Sequence, residues 1–567
     1  RVLFRSCLAR VGARREAMRS RRIGIAWGCV LRAACIAALG VALGSCAGSN
    51  GSKWRPMRAA HSLSLQRASG GAASNGAPVY PIVVGVEHAP LTNPERTARV
   101  ARLLAPLGAS SARPHCEQVG WGQMQPAPAA EIDFRELDGF VRGFQSAGFR
   151  QLQICLGTHS AWGSRSAAWH LRAESPAPRP EYMEAFGQWI AAVVERYDAD
   201  GRDDMSGLRG PVRIFEIGSA FSGFNDGFAD EYLAMLEQAH RAAHAASAEV
   251  LIAPGALLTA GALRGVFDPG RYEAAFATLS ERVSLQRLPE LHRLLDRPDI
   301  FDVFNVRALG DAQETDAVLA WLRWEADRRG YFKPILVTES APPPLVAWGA
   351  ATRCSGSPHA LGLVLPPAVE ADRCRLADFF RSLVDGRDEA VAWAQRYAAS
   401  ELVKKVIVSA DHGAWLVSAA PIEDAQWWKQ PAFEASAGLS PWGGLLDVRT
   451  EERRPAFYAL RQLMNALRGR ERVRRVRLEQ ADVRLYTFEG PGGAGWIAWH
   501  EPEGLTLPSE PTPRRSIAFG VPGRRVRVEP IITQPGQALP RSRLVATRQG
   551  SIELEVTPEP VLVYPET

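Results

Sequence analysis

Arg213-Ile214-Phe215-Glu216-Ile217-Gly218-Ser219-Ala220-Phe221 is the stretch on which the fold turns. Isoleucine and phenylalanine at 214, 215 and 217 read as a short strand buried on both faces, ending at Gly218. A helix-like segment ending in Val194-Glu195-Arg196-Tyr197 precedes it. The fold class depends on how often this helix-to-strand unit repeats on either side.

It repeats throughout. Upstream, Ile82-Val83-Val84-Gly85-Val86, Ala109 to Arg113 and Gln151 to Leu156 read as strands one to three. Glu95 to Leu104, Phe134 to Gln145 (with Asp133 as N-cap) and Tyr182 to Tyr197 read as amphipathic helices. Downstream, the helix Glu231 to Ala246 leads to strand five, Val250-Leu251-Ile252-Ala253. Strand six is Phe301 to Asn305, followed by the helix Asp316 to Arg328. Strand seven is Pro334 to Glu339, strand eight Ala414 to Val417, and Ala456 to Leu467 the last helix.

Eight strands alternating with helices predict an α/β fold, a parallel (β/α)8 TIM barrel over residues 79–469. No Gly-rich phosphate loop follows a strand, which weakens a doubly wound sheet as the competitor. Residues 341–393 form a long insertion after strand seven, with Pro342-Pro343-Pro344, Cys354 and Cys374. Insertions of this length are usually functional or lid-like. A Cys354–Cys374 bridge would close a loop of about 20 residues and add roughly 3 kcal/mol. Beyond Arg468 the hydrophobic period becomes two. The segments 483–488, 495–499, 525–528 and 552–556 predict a small all-β sandwich over 470–567 that buttresses the barrel.

Reacting groups of such a barrel sit at the C-terminal ends of its strands. Strand four ends in Glu216-Ile217-Gly218-Ser219-Ala220, and strand seven in Leu336-Val337-Thr338-Glu339-Ser340. Together these resemble the clan A glycoside hydrolases, whose fourth strand runs roughly aromatic-Glu-Ile-Gly-Asn-Glu. The resemblance covers roughly residues 80–567 and rests on short motifs. It implies a glycan ligand, with Glu339 in the nucleophile position and Arg113 hydrogen-bonded to it. It also implies that Trp121, within Trp121-Gly122-Gln123-Met124-Gln125-Pro126, and Trp415, as the floor of the sugar site, bind substrate.

The departures are equally specific. Ser219 and Ala220 stand where the clan has the sugar-binding Asn and the Glu acid/base. Arg307 and Ala308 stand where relatives usually carry a His and a Tyr near the sugar. Glu216 is no substitute acid. It lies four residues earlier on the same side, about 13 Å lower, in the barrel interior, where a buried Arg is its expected partner. Glu87 and His88 after strand one, Glu117 after strand two, His159 after strand three and Asp226 after strand four are positions from which a relocated acid, or a substrate contact at His159, could reach the mouth.

Charge and cysteine usage point to export. From Met18, a basic segment with Arg19, Arg21 and Arg22 precedes a mostly apolar run, Ile23 to Ala42, and then Leu43-Gly44-Ser45-Cys46. This resembles a bacterial lipoprotein signal, which implies lipidation of Cys46. Ala47 in place of Asp implies outer-membrane or cell-surface sorting. The alternative is a single uncleaved anchor helix. Residues 1–46 form the leader and 47–78, rich in Gly, Ser and Ala, a flexible tether. The chain is +6 overall, but residues 1–45 carry nine Arg and one Glu. The remainder is slightly acidic, so nucleic acid is not an expected partner. Outside the leader the cysteines are Cys116, Cys155, Cys354 and Cys374. None has zinc-ligand spacing, so neither a metal nor a cofactor is expected. Whether Cys116 pairs with Cys155 is open.

Three readings follow. The first is a carbohydrate-active lipoprotein with a degenerate site that binds glycan or cleaves it weakly. The second is a retaining glycosidase with a relocated acid, and the third a structural lipoprotein.

Overall fold

The computed structural model describes residues 82–566, except 92, 166–176, 222–228, 258, 260–261, 281–287, 308–309, 341, 343–369, 424–442 and 448. The expected leader, tether and lipidation site Cys46, most of the insertion with Cys354, and Ala308 and Asp226 lie outside the described residues. Among the described residues no helix is long and apolar enough to cross a membrane.

Eight parallel strands follow the chain: β1 (Val83–Ala89), β2 (Ser111–Pro114), β3 (Gln151–Leu156), β4 (Ile214–Ala220), β5 (Leu251–Ala256), β6 (Phe304–Arg307), β7 (Ile335–Thr338) and β8 (Leu416–Pro421). Their order is β5-β4-β3-β2-β1-β8-β7-β6. A parallel bridge between Leu257 and Val306 joins the two ends and closes the barrel. Closure excludes the open doubly wound sheet. Helices between the strands pack on the barrel, and Asp388–Asp411 is buried all round from Ala398 to Ser409. Asn93 caps Pro94–Leu104 by accepting from the N–H of Glu95 and Arg96, and Asp311 caps Ala312–Arg328 through the N–H of Glu314.

Three boundaries differ from the sequence reading and matter for the mouth. Strand six starts three residues later than expected, so Arg307 is its last residue rather than part of the following loop. Strand eight starts at Leu416 and runs on to Pro421. Its small residues, Ser418, Ala419 and Ala420, lack the β-branched signature that marks a strand. The end of the insertion is helical, with Glu370–Val384 followed by the long helix Asp388–Asp411.

The C-terminal region has a six-stranded sheet and a two-stranded one. The first contains β9 (Arg472–Val476), β10 (Val483–Glu489), β11 (Gly495–His500), β13 (Arg525–Pro530), β14 (Arg543–Ala546) and β16 (Val561–Pro565). The second pairs β12 (Arg515–Gly520) with β15 (Ser551–Val556). Period two explains how it holds the barrel. Val483, Leu485, Trp496 and Ala498 pack into the sandwich core. The alternate residues Tyr486, Phe488, Ile497 and Trp499 join the main core of the barrel. Both faces of β10 and β11 are therefore covered, as in a sheet between two layers.

Candidate active site

Three strand ends at the mouth depart from regular backbone. Glu339, just after β7, has φ 47°, His88 near the end of β1 has φ 59°, and Gly218 in β4 has φ 79°. Left-handed backbone costs a side-chain-bearing residue of order 1–3 kcal/mol, and such strain gathers at functional positions. At Gly218 the missing side chain removes that cost, and the β4–β5 register shifts between Ile217 and Ala220. The bulge sets the direction of Ser219 and of the backbone of Ala220, the last residue of β4. Beneath, buried Asn305 ties β5, β6 and β7 together. It donates to Pro254 O at 3.0 Å and accepts from Thr338 Oγ1 at 2.7 Å.

The charged groups of the mouth form one connected set. Arg307 Nη2 donates to Glu339 Oε1 at 2.5 Å, to Ser219 O at 2.8 Å and to Ser219 Oγ at 3.2 Å. One guanidinium thus spans from the end of β6 to the ends of β7 and β4. Below it, Arg113, fully buried, donates from Nε and Nη2 to Glu216 Oε2 at 2.9 and 2.7 Å. Its Nη1 lies 3.6 Å from Glu339 Oε1, an ion pair rather than a hydrogen bond. Glu216 is in the barrel interior with a buried Arg partner, where its place on the strand puts it. On the β1 side, Glu87 Oε2 accepts the backbone N–H of Glu339 at 2.6 Å.

Electrostatics separates the two nearest carboxyls. Burial pushes the Glu87 carboxyl up, and the charge of Glu339 adds to this; Arg113 and Arg307 only partly offset it. Burial also acts to raise Glu339, but Arg307 and Arg113 outweigh it, so Glu339 is held ionised. His88 is pushed down to about 3, by burial first and then by His115, whose ring centroid is 4.9 Å away. The arrangement therefore favours the charged form of Glu339, the protonated form of Glu87 and the neutral form of His88. Arg113 Nη1, Arg307 Nε, Glu87 Oε1, Glu216 Oε1 and His88 Nε2 are buried without a hydrogen-bond partner among the described residues. Buried polar atoms are normally satisfied, so this set has spare capacity for enclosed water.

The structure brings together Arg113, Ser219, Arg307 and Glu339 of the residues expected at the site. His159 follows β3, half-buried, with its carbonyl accepting from Gly122 N. Two expectations are corrected. Trp121 is 0% exposed. It packs against Trp162 and Phe186 at 4.5 and 5.4 Å between ring centroids and offers no sugar platform. Trp415 precedes β8 and donates its backbone N–H to Ile335 O, at the first residue of β7. It therefore lies where the strands begin, at the opposite end from the mouth. There it packs with Ile214, Leu251, Val303 and Leu336.

Two features went beyond the sequence reading. Cys116 and Cys155 form a disulfide with Cα atoms 4.7 Å apart, within the usual range for such bonds. It sits beside Arg113, whose Nη2 is 3.9 Å from Cys116 Sγ. Cys374 is also disulfide-bonded. The partnership of Glu87 with the Glu339 backbone had only one signal in the sequence, an acidic residue at the end of a barrel strand.

No protein-family model and no curated protein matches the chain. Solved structures to which it is similar include a monomeric β-xylosidase from Caulobacter crescentus, 13% identical, with a TM-score of 0.48 over 88% of this chain and 97% of that one. Another is the GH39 enzyme from Xanthomonas axonopodis pv. citri, 13% identical, with a TM-score of 0.46 over 87% and 94%. A third is a GH30 endoxylanase from Clostridium papyrosolvens, 11% identical, with a TM-score of 0.45 over 86% and 95%. At such identities the chemistry of the mouth has to be argued from its own residues.

Proposed function

We propose that this chain is a glycoside hydrolase-like, carbohydrate-active lipoprotein whose barrel mouth binds glycan and hydrolyses unactivated glycosides poorly or not at all. The observation that carries this reading is Arg307, whose guanidinium bridges Glu339 and Ser219. Retaining hydrolysis needs a free carboxylate nucleophile and a second carboxyl about 5–5.5 Å away to protonate the leaving group. Here the nucleophile-like carboxylate is neutralised by a direct cation, and the strand-four end offers Ser219 and Ala220 in place of an acid. The two sequence departures are thus one linked change: the cation from β6 binds the residue that replaces Asn on β4. Arg307 and Glu339, whose side chains keep 11% and 16% exposure, offer a donor and an acceptor that suit sugar hydroxyls, which both give and accept hydrogen bonds.

A second reading has its own support. Burial and the charge of Glu339 push the Glu87 carboxyl up, and it lies beside Glu339, as a relocated general acid would. Against it, Glu87 is 0% exposed, and one of its oxygens is engaged by the Glu339 N–H beneath the mouth. The test is calorimetric titration with a panel of unactivated oligosaccharides, with product analysis of the same samples. Saturable binding without new reducing ends, weakened by Arg307→Ala, is the expected result. Rapid hydrolysis would favour the Glu87 reading, and no binding by any oligosaccharide would favour a structural lipoprotein.

Attachment to a membrane through lipidated Cys46, at the outer membrane or cell surface, belongs to the same proposal. Its support is the basic segment, the apolar run and Leu43-Gly44-Ser45-Cys46. Cys46→Ser should move the protein from the membrane fraction to the soluble one; retention in the membrane would overturn the lipid anchor.

A further inference from the structure

At the end of the barrel away from the mouth, two histidines and an aspartate converge. His240 and His244 are four residues apart on the helix Ala229–Ala246, so both rings leave the same face. Asp302 precedes β6 and is bound back to β5. It donates its N–H to Ile252 O at 2.8 Å, and its Oδ2 accepts Ile252 N at 2.7 Å. His240 Nε2 lies 3.4 Å from Asp302 Oδ1, and His244 Nε2 lies 3.0 Å from Oδ2. One donor atom from each of the three residues lies within 4.8 Å of the other two. Their side chains are 24%, 29% and 19% exposed, open enough for an ion and a water to enter.

We propose that His240, His244 and Asp302 bind a divalent transition-metal ion of the zinc type. Around a tetrahedral ion with bonds of about 2.0–2.1 Å, ligand atoms stand about 3.3 Å apart. Each measured nitrogen-to-oxygen separation is near that value, the two being to different oxygens of Asp302. The His240 contact is longer than the usual N–H···O range, so it suits two ligands of one ion better than a hydrogen bond. Two imidazoles with one carboxylate select zinc, cobalt, nickel or copper over calcium or magnesium, which take oxygen ligands. The Ile252 N–H on Asp302 supplies the outer contact that orients a ligating carboxylate. The bound ion would fasten the helix 229–246 to the start of β5 and β6, far from Glu339. Among the described residues, the other three-residue grouping, Cys116, Cys155 and Glu216, is no rival, because its sulfurs are bonded to each other.

The test uses the full chain, stripped by chelator and titrated with Co2+ alone, then with Zn2+ as competitor. One equivalent of Co2+ should give the intense visible bands of four-coordinate cobalt, and Zn2+ should abolish them. Zn2+ should also raise the melting temperature of the wild type. His240→Gln and His244→Gln should each lower Co2+ affinity by at least about 100-fold, more than an outer-contact change costs. Asp302→Asn, which still accepts the Ile252 N–H, should do the same, and Zn2+ should no longer raise its melting temperature. His412→Gln, on a different histidine–aspartate pair, should leave binding unchanged. Weak binding without a four-coordinate spectrum, or binding unaffected by the histidine variants, would overturn the site and leave two histidine–aspartate hydrogen bonds.

Discussion

The two ends of one barrel obey opposite rules. At the base, Ile214, Leu251, Ala253, Val303, Leu336, Trp415 and Leu416 form a buried apolar plug. At the mouth, the same strands end in Arg307, Glu339, Ser219 and Glu87, with left-handed backbone and buried polar atoms lacking partners. The base is built for stability. The mouth gives up stability to hold charges in place, as expected of the functional face of this architecture. Arg113 and Glu216 stand between the two, a buried ion pair on which the groups above rest.

That boundary is where the largest effect is expected. Arg113→Met leaves Glu216 without its buried cation and Glu339 with Arg307 alone. Breaking such a pair from one side should cost about 5 kcal/mol, the top of the usual range, because two carboxylates are affected. Arg113→Met with Glu216→Leu should regain much of it. Urea denaturation measures both; a double variant no more stable than the single one would mean that Glu216 is not what the arginine serves.

The base is tested next. Trp415→Ala should cost about 3 kcal/mol through lost packing, with glycan affinity unchanged. If instead stability holds and glycan binding falls, Trp415 faces a ligand and the contrast between the ends is wrong.

The smallest effect is a pH dependence at the mouth. Glu87 has its folded pKa raised above its ordinary 4.5. A group raised in this way contributes stability that is fully present below the unfolded pKa and lost as pH rises toward the folded one. Glu87→Gln keeps an acceptor for the Glu339 N–H and removes the titration. The variant should therefore gain on the wild type by up to about 1.4 kcal/mol as pH rises by one unit, from 5 to 6. Denaturant midpoints at the two pH values decide it; a difference independent of pH would show that Glu87 titrates normally.

The base and the mouth also differed in how far they were legible in the sequence. Helix and strand periods announced the barrel, because each unit must bury one face. The period-two run after Arg468 announced the sandwich. Glu339 was marked by the resemblance of its strand to a clan A nucleophile strand, and the structure puts it at the mouth beside Arg307 and Arg113. Trp415 was misplaced because Ser418, Ala419 and Ala420 do not look like a strand, so the strand seemed to end where it begins. Trp121 looked like a platform because a motif does not report which way a ring packs; Phe186 and Trp162, distant in the chain, bury it. Arg307 was noticed as a departure, but its bridge to Ser219 needs β4 and β6 in space. His240 and His244 show helical spacing on their own, yet their meeting with Asp302 depends on tertiary structure.

The most direct measurement compares leaving groups. Wild type and Ser219→Asn/Ala220→Glu are assayed on matched aryl glycosides with acidic leaving groups and on unactivated glycosides. A mouth without its acid predicts slow wild-type turnover of the aryl series only. Restoring the carboxyl should raise unactivated turnover most, toward the 10²–10⁴-fold that general acids typically supply, and aryl turnover least. Efficient wild-type cleavage of unactivated glycosides, with no gain in the double variant, would contradict the account: another acid would already be at work beside Glu339.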